Sequence, residues 1–140
     1  MPDTLRLSDV YKNKEASPAL LALLKERKES VNISHRRMPT LQKHRKFIFS
    51  KPYKTWDLIL RGREIVGAVY LTHQSEIGLF IFKKFRGNGF GKKALALLMK
   101  KYAGSKRFLA NINPRNRRSI RFFEQLGFRH IQNTYELRKG

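Results

Sequence analysis

The apolar residues change their spacing along the chain, and each change marks an element. Residues 4–7 suit a short opening strand. Ser17-Pro18 reads as a helix start, with Ser17 as N-cap and Pro18 at the first helical position, where its missing N–H costs nothing. Leu20, Leu21, Leu23 and Leu24 give that helix an apolar face. Thr40 caps a second helix, whose apolar side carries Leu41, His44, Phe47 and Ile48 and which ends before Pro52. Residues 56–60, 65–72 and 76–82 are then β-rich runs joined by Arg61-Gly62 and His73-Gln74-Ser75, the pattern of an antiparallel meander. After Gly89 a helical period appears in Phe90, Ala94, Leu97, Leu98 and Tyr102, with lysines on the opposite side. Residues 106–113 alternate, putting Phe108, Ala110 and Ile112 on one face and Leu109, Asn111 and Asn113 on the other. Residues 119–126 form a helix closed by Gly127, with Phe128 placed to fold back on its last turn, and residues 131–137 are a last strand. A meander followed by strand–helix–strand–helix–strand predicts an α/β (α+β) chain with a mixed sheet flanked by helices.

The 140 residues suit one domain over 1–140, and no linker, repeat or low-complexity tract divides them. Hydrophobic residues make up 41%, which places the chain among globular rather than disordered proteins. The absence of cysteine excludes disulfides, thiolate metal sites and a cysteine nucleophile. Met1-Pro2-Asp3-Thr4 lacks the basic and apolar regions of a signal peptide, and apolar runs such as residues 94–99 are too short to span a bilayer. The expectation is a soluble, cytoplasmic protein with no membrane partner.

Charge changes this picture most. Lys and Arg number 31 against 10 Asp and Glu, a net charge of +21. The excess is concentrated: no acid lies between Ser30 and Trp56 or between Ile77 and Phe123, and both stretches are rich in Lys and Arg. A field of that sign gathers anions, so the expected ligands and partners are nucleotides, phosphorylated metabolites or nucleic acid.

The sharpest local feature is Arg86-Gly87-Asn88-Gly89-Phe90-Gly91, between a predicted strand and a predicted helix. Glycines let the backbone turn tightly and approach a ligand, and the helix behind aims unpaired N–H groups and its positive dipole end at the same point. That combination suits a pyrophosphate. Two better-known phosphate loops are excluded. Gly91-Lys92 is followed by Lys93, where a Walker loop needs Ser or Thr, and Lys92 stands where a dinucleotide fingerprint needs its third glycine.

Ile81-x-Lys83-x-Phe85-Arg86-Gly87-x-Gly89-x-Gly91 resembles the cofactor loop of the GNAT acetyltransferases. Further on, Asn116-x-x-Ser119-Ile120-x-Phe122-Phe123-Glu124-x-Leu126-Gly127-Phe128 resembles the C-terminal signature of the same family. The resemblance implies a mixed, mostly antiparallel sheet of about six to seven strands flanked by about four helices. It also implies acetyl-CoA as acyl-donor cosubstrate, with no metal, lying between the 76–82 and 106–113 strands. Pantetheine would meet the backbone near Ile81 and Phe82. The pyrophosphate would rest on amides of Arg86, Gly87, Asn88, Gly89, Phe90 and Gly91, with Lys92 nearby, and Asn116 matches a cofactor-contacting asparagine. Arg86 is expected to act more through structure than through charge.

In such enzymes the amine attacks the thioester directly, so the protein must position it, take its proton and stabilise the carbonyl oxygen. Glu76, at the head of the third meander strand, is the candidate base, with His35 and His44 as alternatives. The chain departs from the family where a tyrosine usually protonates the leaving thiolate: the residue is Phe123, and Tyr135 on the last strand is the substitute acid. Residues 32–40, followed by Lys43-His44, resemble GNAT members that acetylate amino groups of sugar nucleotides. That resemblance makes His35, Arg36, Arg37 and His44 candidates for acceptor binding. The leading reading is therefore an N-acetyltransferase for a phosphorylated amine. The alternatives are the same fold acting on nucleic acid, either a modified base or an aminoacyl-tRNA, and a non-catalytic acyl-CoA-binding module. Protein acetylation fits less well, because a basic acceptor surface repels cationic peptides.

Overall fold

The computed structural model describes residues 4–31 and 38–140. The chain divides into two compact units, Met1–Leu109 and Ala110–Gly140. In the first, strands β1 (Leu5–Asp9), β2 (Thr55–Arg61), β3 (Glu64–Leu71) and β4 (Glu76–Ile81) pair in chain order, each antiparallel to the next. The short β5 (Leu109–Ala110) completes the order β1-β2-β3-β4-β5, and the Leu109 N–H donates to the Ser75 carbonyl at 2.8 Å. Helices α1 (Ala16–Val31), α2 (Leu41–Phe49) and α3 (Phe90–Lys101) belong to this unit, and α4 (Arg117–Gln125) to the second.

The meander is buried on both faces, which is why β2 and β3 are nearly continuous apolar runs. On one face Trp56, Leu58, Leu60 and Ala68 join Ala16, Leu20 and Leu23 of α1 and Ile48 of α2 in a single cluster. Strand alternation turns Ile59, Val69, Leu71 and Ile77 to the other face, and α3, whose buried residues are Phe90, Ala94, Leu95 and Leu98, packs on β1, β3 and β4. Asp57 is 2% exposed and is paired with Lys101 Nζ at 3.2 Å, which ties the end of α3 to β2. The Tyr11 hydroxyl donates to the Ile48 carbonyl at 2.8 Å and holds the end of α2.

On the α1–α2 face the pairing lines up Trp56 with Tyr70 and Tyr70 with Gly78. Tyr70 stacks on Tyr53 at 3.8 Å with the rings parallel, and its ring lies against Gly78. A Cβ on Gly78 would stand 2.0 Å from Tyr70 Cζ, so the missing side chain is what lets that ring lie flat.

Several sequence-based expectations are corrected. α1 starts at Ala16, before Ser17, because Asn13 closes its start: the Asn13 Oδ1 accepts the Glu15 N–H at 2.9 Å and its carbonyl accepts the Ala16 N–H. Pro18 therefore lies in the first turn, where it is still tolerated. α4 starts at Arg117, because Asn116 accepts the Ser119 N–H at 3.1 Å and caps it earlier than expected. The strand expected over 106–113 shrinks to Leu109–Ala110, bounded downstream by Asn111, Asn113 and Pro114, residues that favour turns. The strand expected over 131–137 is absent. Ile131, Tyr135 and Leu137 are 57%, 89% and 84% exposed, and side chains of this stretch bond to residues two positions away, as between Gln132 and Thr134. Alternation marks which side a strand would bury but cannot supply a neighbouring strand to pair with. The sheet among the described residues thus has five strands, fewer than expected, while the four helices agree with expectation.

Gly78→Ala is expected to lower unfolding free energy in urea by about 1–3 kcal/mol, because Tyr70 is pinned between the new methyl and Tyr53. Wild-type stability would show that the ring can move aside.

Candidate active site

The loop after β4 is held at both ends and open in the middle. Phe85 and Phe90 are 7% and 2% exposed, and the Arg61 guanidinium lies 5.4 Å and 5.2 Å from their ring centres. Between these anchors Arg86, Gly87, Asn88 and Gly89 are exposed. Gly87 and Gly89 have φ of +83° and +75°, conformations that side-chain-bearing residues adopt only with strain. The Arg86 Nε donates to the Ile81 carbonyl at 3.2 Å, and the Asn88 Nδ2 donates to the Phe85 carbonyl at 3.1 Å. Both side chains thus brace the loop.

The consequence is a row of donors. Among the described residues, the amides of residues 89–92 have no acceptor; pairing resumes at Lys93, whose N–H meets the Gly89 carbonyl at 3.1 Å. The row opens α3, so the helix dipole reinforces it, and Lys92 is exposed on the first turn. Such a donor set fits a diphosphate. Phe90 is buried through its side chain and can offer only its amide. Phe82 is already engaged at both backbone groups, donating to Val66 and accepting from Phe85, each at 2.9 Å. Its carbonyl and that of Ile81 keep a second lone pair for a ligand. The Lys83 N–H next to them donates to Glu26 of α1 at 2.9 Å.

A cavity of about 460 Å³ lies between α1, α2 and the sheet. Its walls include Leu20, Leu23, Phe47, Trp56, Tyr70 and Phe80, and its polar lining is Arg27, Lys43, His44 and Tyr53. The Arg27 guanidinium lies 4.6 Å from the Phe80 ring centre. His44 is 6% exposed, stacks near Phe47, and its Nε2 has no hydrogen-bond partner among the described residues. Burial and the neighbouring Tyr70 raise the Tyr53 pKa well above the usual phenol value, so its hydroxyl is not a base.

Of the remaining candidates, Glu76 shares the sheet face of Gly78 and Phe80, the cavity side, and its Oε1 accepts from Thr72 Oγ1 at 3.2 Å. Asn116 uses its Oδ1 to cap α4, which leaves its amide nitrogen for other contacts. Phe123 packs edge-on against Phe122 and Phe128, each at 5.1 Å, and Phe128 folds back on the helix end as its position suggested. Tyr135 stands in the exposed stretch described above. His35, Arg36 and Arg37 lie outside the described residues.

The family signature of the acetyltransferase (GNAT) domain matches residues 10–129. The chain belongs to the GNAT acetyltransferase family. Its fold is similar to that of an acetyltransferase from Thermus thermophilus, at 22% identity and TM-score 0.78, with 94% of this chain and 91% of the other covered. A domain from Methanocaldococcus jannaschii is similar at 23% identity and TM-score 0.78, covering 95% and 93%. A ribosomal L7/L12 α-N-protein acetyltransferase in complex with coenzyme A is similar at 21% identity and TM-score 0.69, covering 88% and 78%. Comparison with curated proteins returns no match. As a GNAT protein the chain is an N-acetyltransferase enzyme that uses acyl-CoA. Among the described residues no group of three or more His, Asp or Glu could hold a metal ion, and no helix is long and apolar enough to cross a membrane.

The GNAT loop was legible in sequence, whereas its anchor Arg61 and the cavity residues Arg27, Tyr53, Tyr70 and Phe80 were not. Aromatics in strand patterns carry no sign of which neighbours they will face. Burial also lowers the His44 pKa from its ordinary 6.5. The charged and titratable groups around the cavity are Arg27, Lys43, Tyr53 and Tyr70. The unfolded chain then binds the proton at a higher pH than the native one. Stability is full above pH 6.5 and falls as pH drops through the native pKa. The wild-type Tm is expected to fall more steeply than that of His44→Leu on acidification from about pH 7 to about pH 5; parallel slopes would show that His44 is freely solvated.

Proposed function

We propose that the protein moves an acetyl group from acetyl-CoA directly to the amine of an anionic small molecule, such as a phosphorylated amine or the amino group of a sugar nucleotide. The observation that best supports this is the row of unpaired amides over residues 89–92 at the start of α3, a donor set matched to the diphosphate of CoA. Lys92 adds charge there, and Ile81 and Phe82 offer carbonyls to pantetheine. The cavity beside α1 and α2 takes the acceptor, with His44 in its wall. His35, Arg36 and Arg37 are further candidates for acceptor binding by sequence. Residues 1–140 act as one acyltransferase domain, in the cytoplasm.

In the step itself the amine nitrogen attacks the thioester carbonyl carbon. The C–N bond forms, the C–S bond breaks, and the electron pair leaves on sulfur. Glu76, on the cavity side of β4, takes the proton lost by nitrogen. The thiolate takes its proton from water.

A second reading, with the acceptor on nucleic acid, is favoured by the net charge of +21 and by Arg115, Arg117, Arg118 and Arg121, exposed on and beside α4. Labelled acetyl-CoA incubated with protein and a cell lysate separates the two. Label in small molecules supports the first reading. Label in nucleic acid, lost steeply with added salt, supports the second. Gly89→Glu, which puts a side chain at φ +75° and a negative charge beside the amides, is expected to weaken CoA binding at least about tenfold by calorimetry; unchanged affinity would remove the loop from the site. Glu76→Gln is expected to lower kcat by roughly a hundredfold or more at unchanged CoA affinity; wild-type turnover would exclude Glu76 as base.

A further inference from the structure

We propose that Glu26 of α1 is a positioning residue for acyl-CoA, a role that rests on the cofactor site proposed above: it holds the peptide at the exit of β4 and so sets the direction of the Phe82 carbonyl. Leu20 and Leu23 of α1 are buried against the sheet, and Glu26 and Arg27 follow them at helical spacing on the same face. As that face passes the end of β4 it turns polar and grips the strand at two points. The Arg27 guanidinium lies 4.6 Å from the Phe80 ring centre, and Glu26 Oε1 accepts the Lys83 N–H at 2.9 Å. The second contact does more than fasten the helix. The Lys83 N–H and the Phe82 carbonyl belong to one planar peptide unit and point opposite ways across it, so a carboxylate that holds the N–H also aims the carbonyl. The preceding unit is held in the same manner from β3: the Phe82 N–H donates to Val66 at 2.9 Å, and the carbonyl sharing its plane is that of Ile81. Two successive carbonyls are thus fixed, one from β3 and one from α1, and they are the two offered to pantetheine. No acid lies between Ile77 and Phe123, a stretch that includes Lys83, Lys84, Arg86, Lys92 and Lys93, so the carboxylate has to come from another element. A carboxylate repels the phosphates of CoA, and its charge therefore gives it no reason to stand beside this loop. A backbone donor that must be held in one direction does give it a reason, because an ionised acceptor makes the stronger bond.

Affinity for CoA, measured by calorimetry at fixed pH and salt, tests this role through two pairs of equal charge. Wild type and Glu26→Asp both keep the carboxylate, but aspartate is one methylene shorter and falls short of the Lys83 N–H. Glu26→Gln and Glu26→Ala both lack the charge, and only glutamine retains an acceptor oxygen. The longer member of each pair is expected to bind CoA at least about fivefold more tightly than the shorter one. Adenosine 3′-phosphate 5′-diphosphate keeps the diphosphate and lacks pantetheine, and its affinity is expected to agree within about twofold across each pair. A merely structural Glu26 would lower the Tm of the shorter variants and leave CoA affinity equal within each pair, which would overturn the proposal. Tighter binding by Glu26→Gln and Glu26→Ala alike would also overturn it, as the mark of a carboxylate that acts only by repelling phosphate. So would an equal loss for CoA and for the nucleotide without pantetheine, which would put the effect in the glycine loop. Should Glu26→Ala fail to fold, wild type against Glu26→Asp carries the same test. Failure of wild type to bind CoA would overturn the cofactor site itself and the proposal with it, whereas CoA binding that ignores side-chain length would overturn the proposal alone.

Discussion

β3 is buried on both sides, and that constraint organises the first unit. Val66, Gly67, Ala68, Val69 and Leu71 have no solvent-facing side, so α1 and α2 must cover one face of the meander and α3 the other. Pairing with β2 absorbs an irregularity between Ile59 and Leu60 that leaves Val66 as an extra residue, and the Val66 carbonyl takes the Phe82 N–H at 2.9 Å. The extra residue therefore supports the point where β4 gives way to the glycine loop. Sheet register and loop position are one problem here rather than two.

The loop illustrates how rigidity and openness combine. Its amides remain unpaired because the ends are fastened elsewhere: Phe85 and Phe90 are sunk beside Arg61, Arg86 reaches back to Ile81, and Asn88 closes the turn. A flexible segment would lose much of its binding energy in ordering those donors, whereas a braced one presents them already aligned. The surrounding positive charge attracts anions over longer range, but by itself it selects none of them.

On the α1–α2 face the chemistry is different. The aromatic row Trp56, Tyr70 and Tyr53, with Phe80 beside it, makes a wall of low polarity. Against such a wall one buried imidazole and two cations have more influence than they would in water, because there is little solvent to screen or replace them. Glu76 lies on the same face as this row, at the turn end of β4 and next to Thr72. In the proposed reaction acyl donor and acceptor amine call on separate parts of one sheet: backbone donors past one end of β4, and side chains over one face.

The sequence by itself determined the elements and the place of the glycine loop. Periodicity located the meander and helices to within a few residues, Thr40 and Gly127 closed helices where read, and the glycine pattern marked the tight turn in which Gly87 and Gly89 take positive φ. These features are local, set by spacing and by what a single residue allows its own backbone to do. The misses are of two kinds, local capping and non-local pairing. The strand expected over 131–137 has the right alternation and no partner among the described residues. The start of α1 was decided by Asn13 rather than Ser17. Only the tertiary structure revealed that Tyr70 lies on Gly78 and Tyr53, that Arg61 fastens the loop, and that His44 is buried without a partner among the described residues beside a cavity. Each depends on residues far apart in the chain, and a pattern along one strand carries no information about which side chains will meet across the fold.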